Sequence, residues 1–145
     1  CLESEVYFWF RVPEKYDESC RDVVIGRIGG LLMQLSQVKE VLDAVVLCGE
    51  DRLDEEVSSA CGSDFLSDVL AYVHSQNLLL TGMVNAQVIR TAEMTDIKCI
   101  VFVRGKRPDE DIIQLASQCG IVVMTSNERL YTACGKLYAN GLRGY

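Results

Sequence analysis

The chain has 145 residues, of which 49% are hydrophobic, and it carries a net charge of −7 at pH 7. This length and apolar content suffice for one domain with a core of its own. The negative charge argues against binding to nucleic acid or to an anionic membrane, so a basic site has to be local. No apolar run approaches the roughly 20 residues that a membrane-spanning helix needs.

Residues 1–32 fit poorly with the rest of the chain and allow two interpretations. Glu5–Val12 is an apolar and aromatic stretch ended by Pro13, which is typical of a strand, so the segment could be an extra β-ribbon. Alternatively, Ile28–Met33 can be encoded by a message in which a purine-rich ribosome-binding sequence lies just upstream of an ATG, which would make Met33 the native start. We treat residues 1–32 as an uncertain extension and residues 33–145 as one domain.

The next residues predict a helix and a strand. An apolar stripe from Val38 to Leu42 indicates a short helix, for which Ser36 is the expected N-cap. Ala44–Cys48 is an apolar run of strand length. The acidic segment that comes after it, Gly49–Glu56, is expected to be a solvated loop.

A second helix is predicted ahead of the central part of the chain. Val57–Ala60 is a weak strand candidate, and Gly62–Asp64 is a loop that leads into an amphipathic helix over Phe65–Val73. His74 comes next, in the last turn of this helix, with no acid or nucleophile beside it in sequence. We therefore assign His74 no catalytic role.

The central stretch alternates between strands and helices. Leu78–Leu80, Cys99–Val103 and Ile121–Met124 are short apolar runs without polar alternation, as expected of parallel strands that are covered on both faces. Segments of helical length and period lie between them. The sequence thus predicts the α/β class, with a single layered domain and a mainly parallel sheet flanked by helices.

Helix ends give local signals. Asn85 is the expected N-cap of one helix, and Pro108 is expected at the first position of the next. Thr125 and Glu128 have the spacing of a capping box for the final helix, which should stop near Asn140–Gly141 in a left-handed turn. The few residues after this turn are expected to form a tail.

Three strand-to-helix turns should open on the same edge of the sheet, where open α/β sheets bind ligands. Backbone N–H groups, hydroxyls and an arginine fork in these turns could bind a phosphate or a carboxylate. The candidate ligand-binding residues are Thr81, Gly82, Asn85, Arg104, Gly105, Lys106, Arg107, Thr125 and Ser126. The alternative is that the cations of Arg104–Arg107 stay in water and neutralise the acids Asp109–Asp111 at the start of the next helix.

No motif indicates catalysis or a cofactor. The seven cysteines include no CxxC pair, so we expect reduced thiols in a cytoplasmic protein rather than a disulfide framework or a metal site. The start of the chain has no basic leader with an apolar run after it, which also favours the cytoplasm. No Walker loop and no GxGxxG pattern follows a strand, and no nucleophile, acid and base group together, so we predict a protein that is not an enzyme and has neither metal nor cofactor.

The segments SACGSDFLSDVLAYV, LLLTGMVNAQVIRTAEMTDIKCIVFVRGKRPDEDIIQLASQCGIVVMTS and LYTACGKLYANGL together resemble a DRTGG domain over roughly residues 33–142. Domains of this family are similar to the N-terminal domain of HPr kinase/phosphorylase. They also occur between CBS modules of some inorganic pyrophosphatases and inside some phosphate acetyltransferases. Stand-alone copies occur in anaerobic bacteria, some of them beside iron-hydrogenase genes.

The resemblance implies an α/β domain that dimerises or regulates a neighbouring unit. This chain departs from the family pattern at two places. Many relatives have a Gly-Asp-Arg cluster after the central strand, where this chain has Gly82–Asn85 without acid or base, and a glycine pair after the next strand, where it has Arg104-Gly105.

The sequence is compatible with two functions. The first is a noncatalytic regulatory or protein-interaction domain that forms a homodimer and acts on a partner enzyme, with anaerobic redox metabolism as one setting. The alternative is a sensor that binds a small phosphorylated or carboxylated metabolite, or a nucleotide, at the carboxyl edge of the sheet.

Overall fold

A computed structural model of the chain describes residues 32–72 and 77–144. The two interpretations of the N-terminal extension and the prediction for His74 lie outside the described residues. In chain order, the elements are β1 (Met33–Gln34), α1 (Leu35–Val41), β2 (Val45–Cys48), a 3-10 turn (Glu50–Arg52), β3 (Glu56–Val57), β4 (Ala60–Gly62), α2 (Leu66–Tyr72), β5 (Leu78–Thr81), α3 (Ala86–Met94), β6 (Cys99–Phe102), α4 (Glu110–Gln118), β7 (Val122–Thr125) and α5 (Leu130–Ala139). Within these ranges, no helix is long and apolar enough to span a membrane.

The main sheet has the strand order β2-β7-β6-β5-β4. Strands β4 to β7 run parallel to one another, and β2 runs antiparallel to β7 at one edge. This confirms the predicted α/β class with a mainly parallel sheet. A separate two-stranded antiparallel pairing of β1 with β3 was not predicted, because each strand has only two residues.

Alternate residues of the buried strands pack into two different cores. Leu78, Leu80, Val101 and Met124 face one side, where α1 and α5 contribute the other half of the core. On the opposite side, α2, α3 and α4 pack over residues such as Phe102. Because both faces are covered, β5, β6 and β7 consist of apolar residues except for the threonines that end β5 and β7, as the runs in the sequence indicated.

Helix α1 begins earlier than predicted. Its N-cap is Gln34, and Ser36 lies within the first turn. The Leu35 N–H donates to the carbonyl oxygen of Glu55 (2.9 Å), and the Ser36 N–H donates to that of Leu53 (2.9 Å). The prediction of a Ser36 cap was wrong because a distant loop supplies the acceptors that a capping side chain would otherwise provide.

The weak strand predicted over residues 57–60 is divided between two sheets. Glu56–Val57 pairs with β1, whereas Ala60–Gly62 joins the main sheet beside β5. The chain changes sheets at Ser58, whose hydroxyl donates to the side-chain oxygen of Asn77 (2.8 Å). Strand β4 therefore provides a fourth parallel strand with its own loop at the carboxyl edge.

The caps of α3 and α4 show one confirmed and one wrong prediction. Asn85 caps α3, since its Oδ1 accepts a hydrogen bond from the Val88 N–H (3.1 Å). In α4 the cap is Asp109, whose Oδ1 accepts from the Ile112 N–H (3.2 Å), so Pro108 precedes the helix instead of starting it. The Asp109 side chain satisfies an orphan N–H group, so the helix begins only after it, at Glu110.

The final helix, α5, ends as predicted but does not begin as predicted. Its N-cap is Arg129, and the Thr125 hydroxyl donates instead to the carbonyl oxygen of Lys106 (2.7 Å), so the predicted capping box with Glu128 was wrong. Gly141 lies just after the helix with φ of 103°, which confirms the left-handed stop.

The segment after this stop is not a free tail. Leu142 is buried, and the Ala60 N–H donates to the carbonyl oxygen of Arg143 (3.1 Å) at the edge of β4. The residues after α5 thus cover part of an edge strand.

Candidate functional site

The three predicted turns lie side by side at the carboxyl edge of the sheet. Thr81 is paired with Phe102, and Phe102 with Thr125, so β5, β6 and β7 end at the same level. The loops after these strands therefore start from adjacent positions. This confirms the predicted gathering of the turns, and we call the edge formed by Thr81–Asn85, Arg104–Arg107 and Thr125–Asn127 the rim.

A fourth loop brings Asp64 to the rim. The Oδ1 atom of Asp64 accepts hydrogen bonds from the Gly82 N–H (2.7 Å) and from the Thr81 hydroxyl (3.2 Å). Its Oδ2 atom lies 3.4 Å from Nη2 of Arg104 in an ion pair. Three of the donors predicted to bind an external anion therefore converge on a carboxylate of the chain itself.

Asp64 was not among the predicted site residues. It was interpreted only as part of the loop before α2, because β4 is three residues long and carries a weak strand signal. The signal available in the sequence was the segment Gly62–Asp64, which follows a candidate strand that could lie parallel to β5. The loop after β5 itself carries no acid or base, and the two neighbouring loops bring Asp64 and Arg104 beside it.

Gly82 allows the Arg104 side chain to pack against the backbone. A Cβ atom on Gly82 would overlap Nη2 of Arg104 and lie 2.6 Å from its Cζ. The guanidinium group therefore lies directly over the backbone of Gly82, in space that only glycine leaves open. This packing places the guanidinium beside the Asp64 carboxylate.

The turn that carries Arg104 is conformationally costly. Arg104 and Gly105 both have left-handed backbone conformations, with φ of 61° and 66°, and the Lys106 N–H donates to the carbonyl oxygen of Val103 (3.3 Å). Glycine adopts this conformation freely, whereas a residue with a Cβ atom loses roughly 1–2 kcal/mol. A glycine pair would therefore suit this turn, and Arg104 occupies the first of the two positions at an energetic cost.

Several other predicted donors already have acceptors within the chain. The Gly105 N–H donates to the carbonyl oxygen of Ser126 (2.8 Å), and the Ser126 hydroxyl donates to that of Leu42 (2.7 Å). The Thr125 hydroxyl holds the carbonyl of Lys106. Thr125 and Ser126 are both buried, so these contacts fix the shape of the rim.

The basic loop of the rim is exposed to solvent. Arg104, Lys106 and Arg107 are all exposed, and together they form the basic loop predicted from the sequence. Of the acids that come next in the chain, Asp109 is engaged in capping α4. Asn85 is engaged in the same way at the start of α3, so its side chain supports the helix next to the rim.

The characteristic sequence pattern of the DRTGG domain matches residues 37–139, which is more than half of the chain. The chain belongs to the DRTGG domain family. No curated protein matches its sequence. Among solved structures, it is similar to the CBS and DRTGG domains of the regulatory region of Clostridium perfringens pyrophosphatase, crystallised with the activator diadenosine tetraphosphate.

That similarity has a TM-score of 0.64 at 16% sequence identity, and it covers 84% of this chain. The identity is low, so the similarity establishes the fold alone. The chain spans 56% of the length of the clostridial structure. What that protein binds and regulates is therefore a property of the longer clostridial region.

A second concave region of this DRTGG domain lies at the opposite end of the sheet. It has a volume of ≈ 410 Å³, and its lining includes Arg52, Glu93, Lys98 and Cys119. Arg52 pairs with Glu55 (2.9 Å), and its hydrogen bond lowers the pKa of that carboxyl group. None of the predicted site residues lines this pocket.

The described thiols of the DRTGG domain are unsuited to nucleophilic chemistry. Burial raises the pKa of Cys61 to about 11, and it raises the pKa of Cys99 well above its usual range. Burial also raises the pKa values of Cys48, Cys119 and Cys134. The thiolate, which is the reactive form, is therefore disfavoured at each of these positions. Over residues 32–72 and 77–144, no group of three or more potential ligands is arranged to bind a metal ion.

Proposed function

We propose that this chain is a noncatalytic regulatory domain that forms a homodimer and acts on a partner enzyme. Its membership of the DRTGG family supports this proposal, as does the regulatory role of the clostridial region with the same fold. We place it in the cytoplasm, where the free cysteines of its described part would stay reduced.

The outer face of α5 is the observation that carries the proposal. Tyr131 is 91% exposed and Tyr138 is 56% exposed. Residues seven apart lie on the same side of a helix, so the two rings form one exposed aromatic stripe. Aromatic side chains of this size are enriched in protein interfaces, whereas a monomer gains nothing by leaving them in water.

Gly135 lies between these tyrosines on the same face of the helix. In the part of the chain that the structure describes, a Cβ atom on Gly135 would meet nothing within 4 Å. Glycine inside a helix costs about 1 kcal/mol relative to alanine, so the position is unfavourable unless another surface approaches it closely. Its neighbour Cys134 differs, because its side chain packs inward against Gly62.

A second copy of the chain fits this face. In a two-fold interface each residue meets its counterpart reciprocally, so an antiparallel crossing of two α5 helices at Gly135 would bring Tyr131 of one copy against Tyr138 of the other. A buried tyrosine contributes about 150–250 Å². Four of them supply several hundred Å² of the roughly 1,000 Å² that a specific interface requires. The Arg143 guanidinium, 3.9 Å above the Tyr138 ring, holds that ring in place.

Sedimentation equilibrium tests the dimer. We expect the wild type to be dimeric, and Tyr131→Ser and Gly135→Leu to be monomeric with unchanged circular dichroism spectra. Met94→Ser is the matched control, since Met94 is 77% exposed at the end of α3, on the other side of the sheet. A wild type that stays monomeric at its highest soluble concentration, or a dimer that survives Gly135→Leu, contradicts the proposed interface.

The action on a partner enzyme is tested separately. Enzymes encoded by genes adjacent to this one are assayed with and without the domain, and we expect kcat or KM of one of them to change as the domain is titrated. Tyr131→Ser then reports whether the dimer is needed. Unchanged kinetics of all these enzymes would contradict regulation of a partner enzyme.

The exposed cations of the rim favour a second candidate function. Arg104, Lys106 and Arg107 concentrate positive charge in a protein whose net charge is −7. We propose that the rim senses a small phosphorylated or carboxylated metabolite or a nucleotide, with Thr81 and Gly82 as neighbouring donors. A thermal-shift panel of such compounds should stabilise the wild type in proportion to ligand excess and leave Arg104→Ala unaffected. A flat response across the panel contradicts this function.

A further inference from the structure

The Asp64 carboxylate is bound in the way that a protein binds a foreign anion. A backbone N–H from Gly82, a hydroxyl from Thr81 and a guanidinium from Arg104 all approach the same carboxylate. These are the donor types that recognise phosphate and carboxylate groups at the ends of parallel strands.

We propose that Thr81, Gly82 and Arg104 form an anion site, that Asp64 is its built-in occupant, and that the phosphate group of a phosphorylated ligand binds there by displacing the Asp64 carboxylate. This inference rests on the second proposed function, the sensor. It adds the identity of the competing group and the chemical class of the ligand.

The exposure of the ion pair supports exchange with a ligand. The side chains of Arg104 and Asp64 are 46% and 40% exposed, so an incoming group reaches both partners from solvent. The guanidinium is also kept at this place against the conformational preference of its own backbone, with φ of 61°. A surface ion pair of this kind stabilises a fold only slightly, which makes stability a weak reason for keeping arginine at this position.

The built-in carboxylate determines which ligands can compete. A tethered group has a high effective concentration, so a free carboxylate with the same charge would be a poor competitor. A phosphate group carries a charge of about −1.5 to −2 at pH 7 and three strong acceptor oxygens. The exposed cations Lys106 and Arg107 lie after Arg104 in the same loop and can attract this additional charge. The site therefore favours phosphate over carboxylate.

Two substitutions separate the two roles of the Asp64 side chain. Asp64→Ala removes the occupant and leaves the three donors available. Asp64→Asn retains an acceptor for the Gly82 N–H and thereby preserves the loop, but it removes the negative charge that holds Arg104. Asp54→Asn is the charge-matched control, because Asp54 is an exposed acid in the turn after Glu50–Arg52, outside the rim.

Isothermal titration with inorganic phosphate and with pyrophosphate, at constant ionic strength, measures the competition. A ligand that must displace a hydrogen-bonded carboxylate loses about ten-fold to a hundred-fold in affinity. Asp64→Ala should therefore bind pyrophosphate with a Kd lower than that of the wild type by this factor. Asp64→Asn should also bind more tightly than the wild type, and Asp54→Asn should match the wild type. Adding Arg104→Gln to either Asp64 variant should abolish the gain.

The outcomes distinguish the inference from the sensor function. If the wild type and both Asp64 variants bind pyrophosphate equally, Asp64 does not compete, and the inference is overturned although a sensor remains. If folded Asp64→Asn and folded Asp64→Ala both fail to bind phosphate and pyrophosphate, the anion site itself is overturned. The dimer proposed for α5 is unaffected by either result.

Discussion

Two glycines on either side of helix α5 should respond in opposite ways to the same substitution. Gly135 lies within the helix, and a Cβ atom there would meet none of the described residues within 4 Å. Gly62 lies in β4 beneath the helix, and a Cβ atom there would be 2.5 Å from Sγ of Cys134 and 3.2 Å from Cδ1 of Leu130. The added methyl group of the two alanine variants therefore meets open space at Gly135 and packed atoms at Gly62.

The expected magnitudes come from these contacts. Gly135→Ala should raise the free energy of unfolding by about 1 kcal/mol, because alanine loses less backbone entropy in a helix and needs no new space. For a domain of this size, the gain corresponds to a rise in Tm of roughly 3–6 °C. Gly62→Ala should lower the free energy of unfolding by about 1–3 kcal/mol, because the sulfur atom and Leu130 must move to accommodate the methyl group.

Urea unfolding monitored by circular dichroism measures both changes. Each variant is compared with the wild type over a ten-fold range of protein concentration, so that self-association appears as a concentration dependence. The reasoning fails if Gly135→Ala is destabilised at the lowest concentration, or if Gly62→Ala unfolds at the same urea concentration as the wild type.

Three further outcomes are expected. Asn85→Ala should cost about 1 kcal/mol in urea unfolding, since α3 loses the acceptor for the Val88 N–H; a cost near zero would show that the cap is dispensable. Gly82→Ala should displace the Arg104 side chain and lower the free energy of unfolding by no more than about 1 kcal/mol. Two-dimensional NMR of the guanidinium Nε–H resonance would detect the displacement, and an unmoved resonance would contradict this packing. Burial raises the pKa of Cys61 to about 11, so this thiol binds its proton more tightly in the folded state, and its contribution to stability is complete below the ordinary thiol pKa. That contribution declines as the pH rises from about 9 towards 11. Cys61→Ala should make the decline of Tm with pH shallower in thermal unfolding, and a pH profile identical to that of the wild type would contradict this linkage.

The fold was predictable where the sequence pattern depends on burial on both faces. The apolar runs that became β5, β6 and β7 contain no polar residue to place on a solvent side, so a covered parallel sheet was the consistent interpretation. The two-residue strands β1 and β3 were not predictable, because they are too short for any period to appear.

The local errors have a common physical origin. Ser36 and Thr125 each carry a hydroxyl at a suitable spacing for a cap, yet tertiary contacts determined the outcome. The N–H groups at the start of α1 bond to the loop that contains Leu53 and Glu55, and the Thr125 hydroxyl bonds to Lys106. Capping rules describe a helix in isolation, and they fail where another segment reaches the same groups first.

The rim was predicted in position but not in composition. Parallel topology places Gly82 and Arg104 on adjacent loops, and that much can be deduced from strand order. The contribution of Asp64 depends on β4 joining the sheet next to β5. Only the distance of 3.4 Å between the side chains of Asp64 and Arg104 identifies these two residues as an ion pair. A residue forty positions from its partner leaves no spacing signal in the sequence.

The left-handed backbone at Arg104 also has an evolutionary consequence. Glycine at this position would relieve the turn, so arginine is kept here at a cost to stability. Orthologues that retain arginine here should also retain an acid at the position of Asp64 and glycine at the position of Gly82. Lineages that lose one of the three are expected to lose the others, and an alignment of close orthologues would reveal this covariation.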